Sequence, residues 1–476
     1  MNFRFVGFVL SRLYFAYMAI LFVPLCTAIF FDTKSFFAFS ISTITVFFLG
    51  LFLNIFGKRQ HGHLNVRDAI FIVSGGWLSL CLLGMLPYLF GMPNLSLATC
   101  FFESTSMWTT TGATTFSSIK ILPLSFMVWR TLGHWCGAVG VIMFFSLLLP
   151  AMQSGSDFIL SAELPGRGAE RTMPKLRESI LVILGIFIGI NLFETLLLMC
   201  GGMNIWQALN MAMASAATGG LSFFQDGIIT FSNKYLFAVC LIFMFLGGVN
   251  FTLWFKLWHK DWQGIRNDSE HRYYFVFIFI AVILLVFNFY FHNFSFADSW
   301  ENALSMTISC ASTSGFEFCN FASLPEFGKF VLLILMAVGG CSASAAGGIK
   351  ITRVVIMFKI IKAELLTILH PNMIYATEYD GKILKKDTVM AVVKYFFLYV
   401  FMLVFFVTAV IFSGINLENS LIMIVSALSS VGLGMDGLKN CSNDFAKFIA
   451  ALAMLFGRLE FTTLLAILHF DFWRTK

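Results

Sequence analysis

Long apolar runs without charges constrain this fold more than any other feature of the sequence. A helix crosses a bilayer with about 20 apolar residues, and runs of this length recur from Phe5–Phe31 to Phe445–His469. Of the 476 residues, 59% are hydrophobic and only 12% are charged. A soluble core could not bury so much apolar surface, so the sequence predicts an all-α protein with many membrane-spanning helices.

The apolar runs predict ten full crossings. Two leading spans, Phe5–Phe31 and Phe36–Phe56, precede four units that each contain a span, a short segment, a glycine loop and a second span. The spans of these units are Ala69–Phe90 with Phe126–Leu149, Ile180–Cys200 with Tyr235–Phe255, Tyr274–Phe291 with Phe330–Ala346, and Val389–Phe412 with Phe445–His469. The predicted domains are therefore a leading segment, 1–67, and four repeats, 68–150, 151–258, 259–370 and 371–476.

Each repeat also holds a segment that is too short to cross a bilayer, which we interpret as a re-entrant half-helix. These segments are Leu95–Trp108, Ile205–Ala217, Ala297–Thr313 and Leu417–Ser430. The carboxyl end of a helix carries partial negative charge, so four such ends pointing at one axis would favour a cation there. Glu103 on the first segment either ties the following loop by hydrogen bonds or is an ordinary surface carboxylate.

A small polar loop with glycine follows each half-helix. The predicted loop residues are Thr110, Thr111 and Gly112; Ala217, Thr218 and Gly219; Thr313, Ser314 and Gly315; and Ser430, Val431 and Gly432. Rings of backbone carbonyls can replace the water of a dehydrated cation, and glycine permits the backbone conformations that turn them inward. The alternative is four helix-end turns, which four copies with similar flanks disfavour. The loops thus predict the selectivity filter of a cation pore.

Lysine and arginine cluster in alternate connectors. The basic segments are Arg4 with Arg12, Lys58–Arg67, Arg167–Arg177, Lys256–Arg272, Lys350–Lys386 and Arg474 with Lys476. With ten crossings they all fall on one face, which the inside-positive bias identifies as the cytoplasm. Both termini are therefore predicted to be cytoplasmic.

Several other functions find no support in the sequence. No basic domain lies outside the spans, so nucleic acid is not an expected partner. The ten cysteines form no CxxC pair, which argues against a disulfide framework or a zinc site. Gly432, Gly434 and Gly437 match a dinucleotide fingerprint, but no strand precedes them. His61 and His63 are expected to be solvated, and no cluster of Asp, Glu, His or Ser suggests an enzyme or a covalent cofactor.

Several motifs together resemble the Trk/Ktr/HKT superfamily of potassium transporters, most closely its bacterial TrkH branch. They are TTTGATT at Thr109–Thr115, ATGGLS at Ala217–Ser222, MFLGGVNFTLW at Met244–Trp254, GGCSASAAGGIKITR at Gly339–Arg353, LHPN at Leu369–Asn372 and GRLEFTTLLAIL at Gly457–Leu468. The resemblance implies four membrane–pore-helix–membrane repeats with pseudo-fourfold symmetry around one potassium path. It places the filter glycines at Gly112, Gly219, Gly315 and Gly432.

The same resemblance implies the setting of the protein. The chain is expected to be a homodimer in the bacterial inner membrane, surrounded by lipid, and to bind a cytosolic TrkA-like nucleotide-binding regulatory subunit. Potassium is the expected transported ion, since glycine rather than serine stands at the first filter position. The third and fourth loops depart from the family pattern because they lack a threonine directly before glycine.

A run of small residues breaks the predicted span Phe330–Ala346 and continues beyond it. The resemblance implies that this run is an intramembrane gate below the filter, although close helix packing through small residues is the alternative. Ala343 and Ala345 depart from the family pattern, and Arg458 is predicted to lie in the middle of the last span, where a charge is costly. The predicted gate residues are Gly340, Ser342, Ser344, Gly347, Gly348, Lys350 and Arg458.

Two functions follow from these features. The first is potassium uptake through a selective pore gated from the cytoplasmic side. The second is a sodium- or proton-coupled potassium symporter that works by alternating access. A titratable carboxylate inside the spans would favour the second function, and Glu194 is the best candidate. Asp226 and Asp436, near the predicted outer mouth, either attract cations or are ordinary loop carboxylates.

Overall fold

The computed structural model describes the chain except for residues 58–65, 117–121, 152–172, 221–232, 440–442 and 475–476 and positions 293, 343, 374 and 460. The described residues are mainly helical, as the sequence predicts. They include one antiparallel pair of strands, Glu378–Tyr379 (β1) and Lys382–Ile383 (β2).

The two leading helices agree with their predicted spans, since α1 is Phe3–Phe31 and α2 is Phe36–Phe56. Each is long and apolar enough to cross a membrane. Phe30 is 77% exposed, whereas Tyr17 on the same helix is buried. One face of this helix therefore suits lipid, and the other packs against protein.

The remaining helices follow in chain order, several of them separated by short breaks. They are α3 (Val66–Gly84), α4 (Leu86–Gly91), α5 (Leu97–Trp108), α6 (Leu124–Ala151), α7 (Met173–Cys200), α8 (Ile205–Ala216), α9 (Lys234–Gly248), α10 (Phe251–Trp258), α11 (Trp262–Arg266), α12 (Ser269–Phe291), α13 (Phe296–Ala311), α14 (Glu326–Val338), α15 (Ile351–Leu369), α16 (Lys386–Phe412), α17 (Leu417–Leu428), α18 (Asp444–Arg458), α19 (Phe461–Leu468) and α20 (Phe470–Trp473).

Six helical segments in the described part of the chain are long and apolar enough to span a membrane. They are Phe3–Phe31, Thr33–Phe56, Arg67–Gly91, Leu181–Cys200, Ser269–Phe291 and Lys386–Phe412. The pair α18 and α19 would make a seventh if it is counted as one span. The chain is thus a multi-pass membrane protein, and the total of ten crossings stays a prediction.

Two predicted spans are wrong in extent because irregular backbone interrupts them. The predicted span Tyr235–Phe255 divides into α9 and α10, and Asn250 at the break accepts a hydrogen bond from the Thr252 amide at 2.9 Å. The predicted span Phe330–Ala346 is helical only to Val338, and the small-residue run that is predicted to break it begins at the next residue, Gly339. The break at Asn250 is missed because the sequence stays apolar on both sides of it.

The predicted span Phe445–His469 is also not one helix. Helices α18 and α19 meet at an angle of 112°. Arg458 is the last residue of α18, so its predicted position in the middle of a continuous helix is wrong. Glu460, two residues further along the chain, lies outside the described residues.

The four short helices α5, α8, α13 and α17 lie where half-helices are predicted. Helix α5 ends at the predicted residue, Trp108, and the other three end one or two residues earlier than predicted. They contain 12 to 16 residues, which is too few to cross a bilayer. Their starts are fixed by side chains that accept a hydrogen bond from the third helical amide. The caps are Ser96, Asn204, Ser295 and Asn416.

The buried apolar residues form two main clusters. One joins α7 to α9 with α12 to α15, and the other joins α1 to α6 with α16 to α19. Helix α17 contributes to both clusters, since Val425 belongs to the first and Met423 to the second. The carboxyl ends of the short helices therefore lie inside the protein, where their loops meet.

Candidate functional site

The four predicted glycine loops lie together in one closed ring. In each loop a glycine lies against the carbonyl oxygen of the residue before the glycine of the next loop: Gly112 against Gly219, Gly220 against Ser314, Gly315 against Val431, and Gly432 against Thr111. A methyl group on these glycines would lie 1.7 to 2.5 Å from those oxygens. Since the order of loops returns to the first, four carbonyl groups surround one axis.

The four loops share one backbone conformation. Each short helix is followed by one linking residue and then by a hydroxyl residue with φ between 51° and 57°, namely Thr110, Thr218, Thr313 and Ser430. Two positions later stands a glycine with φ between 64° and 89°. The residue between them donates its amide to the helix end, as Thr111 does to Ser106 O at 3.0 Å and Val431 to Ser426 O at 2.9 Å.

This conformation corrects the register predicted for the second loop. The residue with positive φ that faces the next loop is Gly220, with φ of 64°, and not Gly219. Gly219 instead matches Thr111, since its amide bonds to Ala214 O at 2.9 Å. The sequence has two adjacent glycines here, and only the contact with the neighbouring loop distinguishes them.

The four loops also share a hydroxyl side chain at the residue with positive φ, a regularity that the sequence alone did not reveal. The hydroxyl residues at the positive-φ position occur in all four loops, including the fourth, where no hydroxyl directly precedes glycine. These side chains are buried. Thr313 Oγ1 accepts a hydrogen bond from the Gly347 amide at 2.8 Å, whereas the hydroxyls of Thr110, Thr218 and Ser430 have no hydrogen-bond partner among the described residues. Carbonyl and hydroxyl oxygens together offer weak neutral ligands, which suit a monovalent cation.

Glu103 ties the first loop to its helix, which confirms the first of the two interpretations of this residue. Its carboxylate accepts hydrogen bonds from the Thr115 amide at 2.6 Å and from the Thr115 hydroxyl at 2.8 Å. It also forms a buried ion pair with Arg130 at 3.2 Å. The corresponding positions of the other short helices hold Met211, Met306 and Met423, so among the four short helices only α5 carries a carboxylate at this position.

The described residues from Gly339 to Lys350, which leave out position 343, form a non-helical loop buried against the glycine ring, and we call it the crossing loop. Besides the contact of Gly347 with Thr313, a methyl group on Gly347 would lie 2.1 Å from Ser429 O. Thr313 and Ser429 both precede the ring glycines, so the crossing loop lies on the helix-end side of the ring. The position is one from which a segment could block passage through the ring.

Backbone hydrogen bonds hold the two ends of the crossing loop. The Cys341 amide donates to Gly248 O at 3.0 Å, and the Ile351 amide donates to Gly340 O at 3.0 Å. The predicted gate residues Gly340, Ser342, Ser344, Gly347, Gly348 and Lys350 all lie in this loop. Ala343 lies outside the described residues.

Arg458 reaches the crossing loop from the end of α18. Its Nη1 donates a hydrogen bond to Ala345 O at 3.0 Å, while Nε and Nη2 have no partner among the described residues. The structure therefore brings Arg458 together with the other predicted gate residues. Its guanidinium adds positive charge on the side of the ring where the crossing loop lies.

The remaining predicted residues lie away from the ring or outside the described residues. Asp436 pairs with Lys439 at 2.5 Å, and Glu194 is buried beside the second short helix, where it accepts from Ser215 Oγ. Asp226, His61 and His63 are outside the described residues. In the part of the chain that the structure describes, no group of three His, Cys, Asp or Glu could hold a metal ion.

The chain is similar to known transport proteins over its full length. A family model described as TrkH, cation transport protein, matches residues 35–470. The Trk system potassium uptake protein TrkH of Escherichia coli is 29% identical over 482 residues, which cover 100% of both chains. An uncharacterized cation transporter of Methanocaldococcus jannaschii is 28% identical, over 95% of this chain and 92% of its own.

The fold has a counterpart among solved structures. The crystal structure of the potassium transporter TrkH from Vibrio parahaemolyticus superposes with a TM-score of 0.89 at 26% sequence identity, and the match covers 100% of both chains.

Proposed function

The chain belongs to the TrkH family of cation transport proteins, and from this premise we propose that it takes up potassium through a selective pore. The family consists of ion transporters, so the chain is not an enzyme. The observation that carries the proposal is the closed ring of Thr111, Gly219, Ser314 and Val431 carbonyl groups. The relatives named potassium uptake proteins support potassium as the transported ion.

The pore follows from how oxygen ligands replace water. Four loops that each contribute a carbonyl and a buried hydroxyl surround a cation without a fixed charge, so binding stays weak enough for release. A membrane potential contributes about 2.3 kcal/mol per charge per 100 mV, which supports roughly a fifty-fold gradient. Passive entry is therefore sufficient to accumulate the ion.

The crossing loop and Arg458 form the gate in this proposal. The loop lies against Thr313 and Ser429, and the guanidinium opposes a cation below the ring until both move. The predicted gate residues Gly340, Ser342, Ser344, Gly347, Gly348 and Lys350 act here as parts of one movable segment rather than as ion ligands.

The membrane arrangement belongs to the same proposal. Four repeats, 68–150, 151–258, 259–370 and 371–476, surround the pore with pseudo-fourfold symmetry, and ten crossings place both termini in the cytoplasm. The shared conformation of the four loops supports the symmetry. The functional unit is a homodimer in the bacterial inner membrane that binds a cytosolic nucleotide-binding regulatory subunit, as the resemblance implies.

Glu194 favours a second candidate, a sodium- or proton-coupled potassium symporter. This carboxylate is buried inside the membrane region, and its Oε2 has no hydrogen-bond partner among the described residues. Carboxylates inside the membrane are rare, and they mark ion and proton pathways in pumps and transporters.

Rubidium flux into liposomes that contain only this protein separates the two candidates. A pore gives flux down the rubidium gradient with no other ion gradient, and sodium competes poorly. A symporter gives flux only with an inward sodium or proton gradient, and Glu194→Gln removes that dependence. Because a closed gate also prevents flux, the same conditions are applied to Gly347→Ala, whose added methyl group forces the crossing loop away from Ser429 O. Absence of flux in this variant under all of these conditions would contradict both.

A further inference from the structure

A buried carboxylate next to the crossing loop was not predicted from the sequence. Glu270 is the second residue of α12 and is 5% exposed. Its Oε1 accepts hydrogen bonds from the Ser342 amide at 2.5 Å and from Thr352 Oγ1. Its Oε2 accepts from Asn250 Nδ2 at 2.9 Å. Both oxygens of one side chain are therefore used by three donors.

The three donors come from three different parts of the chain. Ser342 lies in the crossing loop, Thr352 in the first turn of α15 directly after it, and Asn250 at the break between α9 and α10. Ser342 Oγ also donates to Thr352 Oγ1 at 3.0 Å, which closes a small network. Glu270 thus joins the crossing loop to two flanking segments at a single point.

The start of the helix that carries Glu270 is itself fixed by two contacts just before this residue. Asp268, which caps α12, pairs with Lys256 at 2.9 Å. The Ser269 amide donates to Asp380 Oδ1, in the turn between β1 and β2, at 3.1 Å. The carboxylate is therefore a rigid anchor, and the crossing loop is the segment that it restrains.

We propose that Glu270 is the positioning residue that holds the crossing loop across the pore. This inference rests on the proposed function, because it assumes that the loop closes the conduction path. A carboxylate that accepts three hydrogen bonds stabilises the closed arrangement, since hydrogen bonds to a charged group are stronger than neutral ones. Loss of this acceptor frees the loop at Ser342, so the closed state is no longer stabilised relative to the open state.

The test is a mutant cycle between Glu270 and Asn250. In Glu270→Gln an amide NH2 group replaces one carboxylate oxygen. In one orientation of the amide this group faces Asn250 Nδ2, and in the other it faces the Ser342 amide and Thr352 Oγ1. A donor then meets a donor in either orientation, and at least one hydrogen bond is lost. Asn250→Asp alone sets two carboxylates against each other. The double variant restores one donor and one acceptor, and the carboxylate introduced at position 250 can still accept from the Thr252 amide.

Basal rubidium flux into liposomes is the first measurement. Each single variant is expected to raise flux roughly tenfold, which corresponds to loss of one charged hydrogen bond, and the double variant is expected to return flux towards the wild-type value. The ratio of rubidium to sodium flux stays unchanged because the ring is not altered. A purely structural role for Glu270 predicts lower flux together with lower thermal stability.

The second measurement does not require conduction. Cys341, beside Ser342, is buried, and its alkylation by N-ethylmaleimide can be followed by mass spectrometry with buried Cys240 as internal reference. Glu270→Gln is expected to accelerate alkylation at Cys341 and not at Cys240. Glu326→Gln, at an 80% exposed side chain, is the matched control and changes neither reading.

The outcomes separate this inference from the proposed function. Faster Cys341 alkylation without flux in any variant supports the anchor and contradicts the pore. If the wild-type protein conducts rubidium, and Glu270→Gln changes neither this flux nor the alkylation of Cys341, the anchor is overturned and the pore stands. If Glu270→Gln does not fold, Thr352→Val removes one donor alone, and its failure to raise either reading overturns the proposal.

Discussion

The ring glycines satisfy two independent requirements at the same positions. Gly112, Gly315 and Gly432 have φ of 77°, 71° and 89°, a region where a Cβ atom costs about 1 to 2 kcal/mol. Each also lies against a carbonyl group of the neighbouring loop, where no methyl group fits. Glycine is therefore needed here for backbone conformation and for loop packing, and either requirement alone would select it.

Two glycines of the fourth loop provide a matched comparison. Gly432→Ala is expected to lower rubidium flux by at least about tenfold, because its methyl group would meet Thr111 O at 2.0 Å in a conformation unfavourable for alanine. Gly437→Ala is the control, since nothing lies within 4 Å of its added methyl group. Equal flux in the two variants would contradict a tightly packed ring.

Substitutions in the ion pair between Glu103 and Arg130 test how the first loop is supported. Arg130→Met leaves a buried carboxylate without its cation and is expected to cost about 3 to 5 kcal/mol of stability. The double variant Glu103→Met with Arg130→Met is expected to be more stable than Arg130→Met, because methionine occupies the position of Glu103 on the other three short helices.

Thermal unfolding in detergent measures this difference. Lys439→Met, which removes an exposed pair with Asp436, is the control and is expected to change stability by about 0 to 1 kcal/mol. A similarly small effect for Arg130→Met would show that the first loop does not depend on its buttress.

Among the elements, those whose limits are set by neighbouring residues in the chain are predicted well from the sequence. The short helices are found within one or two residues, because caps such as Asn204 and Asn416 and the following glycines mark their limits. Breaks inside apolar runs, such as that at Asn250, carry no hydropathy signal. The choice between Gly219 and Gly220 is decided by the neighbouring loop. The contact of Glu270 likewise depends on a distant segment, since its partner Ser342 lies 72 residues away.

At the level of elements, the prediction concerns the contact between the crossing loop and the ring. Gly347→Ala is expected to raise basal rubidium flux about tenfold, because a methyl group 2.1 Å from Ser429 O forces the loop away from the ring. Gly185→Ala in α7 is the control, since it meets nothing within 4 Å. A wild-type flux in Gly347→Ala would mean that the loop does not seal the ring.

For the whole molecule, the first leading helix and the residue that follows it support the ring from outside the four short helices. Tyr17 of α1 lies in an aromatic cluster with Trp108 at the end of the first short helix and with Trp129 of α6, at ring distances of 5.5 and 5.8 Å. Asp32, just after α1, accepts from Ser125 Oγ at 3.1 Å. A segment that looks separate in the sequence therefore supports the first loop.

Truncation of Tyr17 tests this support. Tyr17→Ala is expected to cost about 3 to 5 kcal/mol, as loss of a buried aromatic side chain does, and to lower rubidium flux because Trp108 directly precedes the first loop. Phe30→Ala, at a 77% exposed side chain on the same helix, controls for loss of apolar surface and should leave both unchanged. Thermal unfolding and rubidium flux measured on the same preparations decide the question, because a brace requires that both fall in Tyr17→Ala alone. A loss of stability with full flux would show that the leading helices anchor the protein in the membrane without shaping the pore.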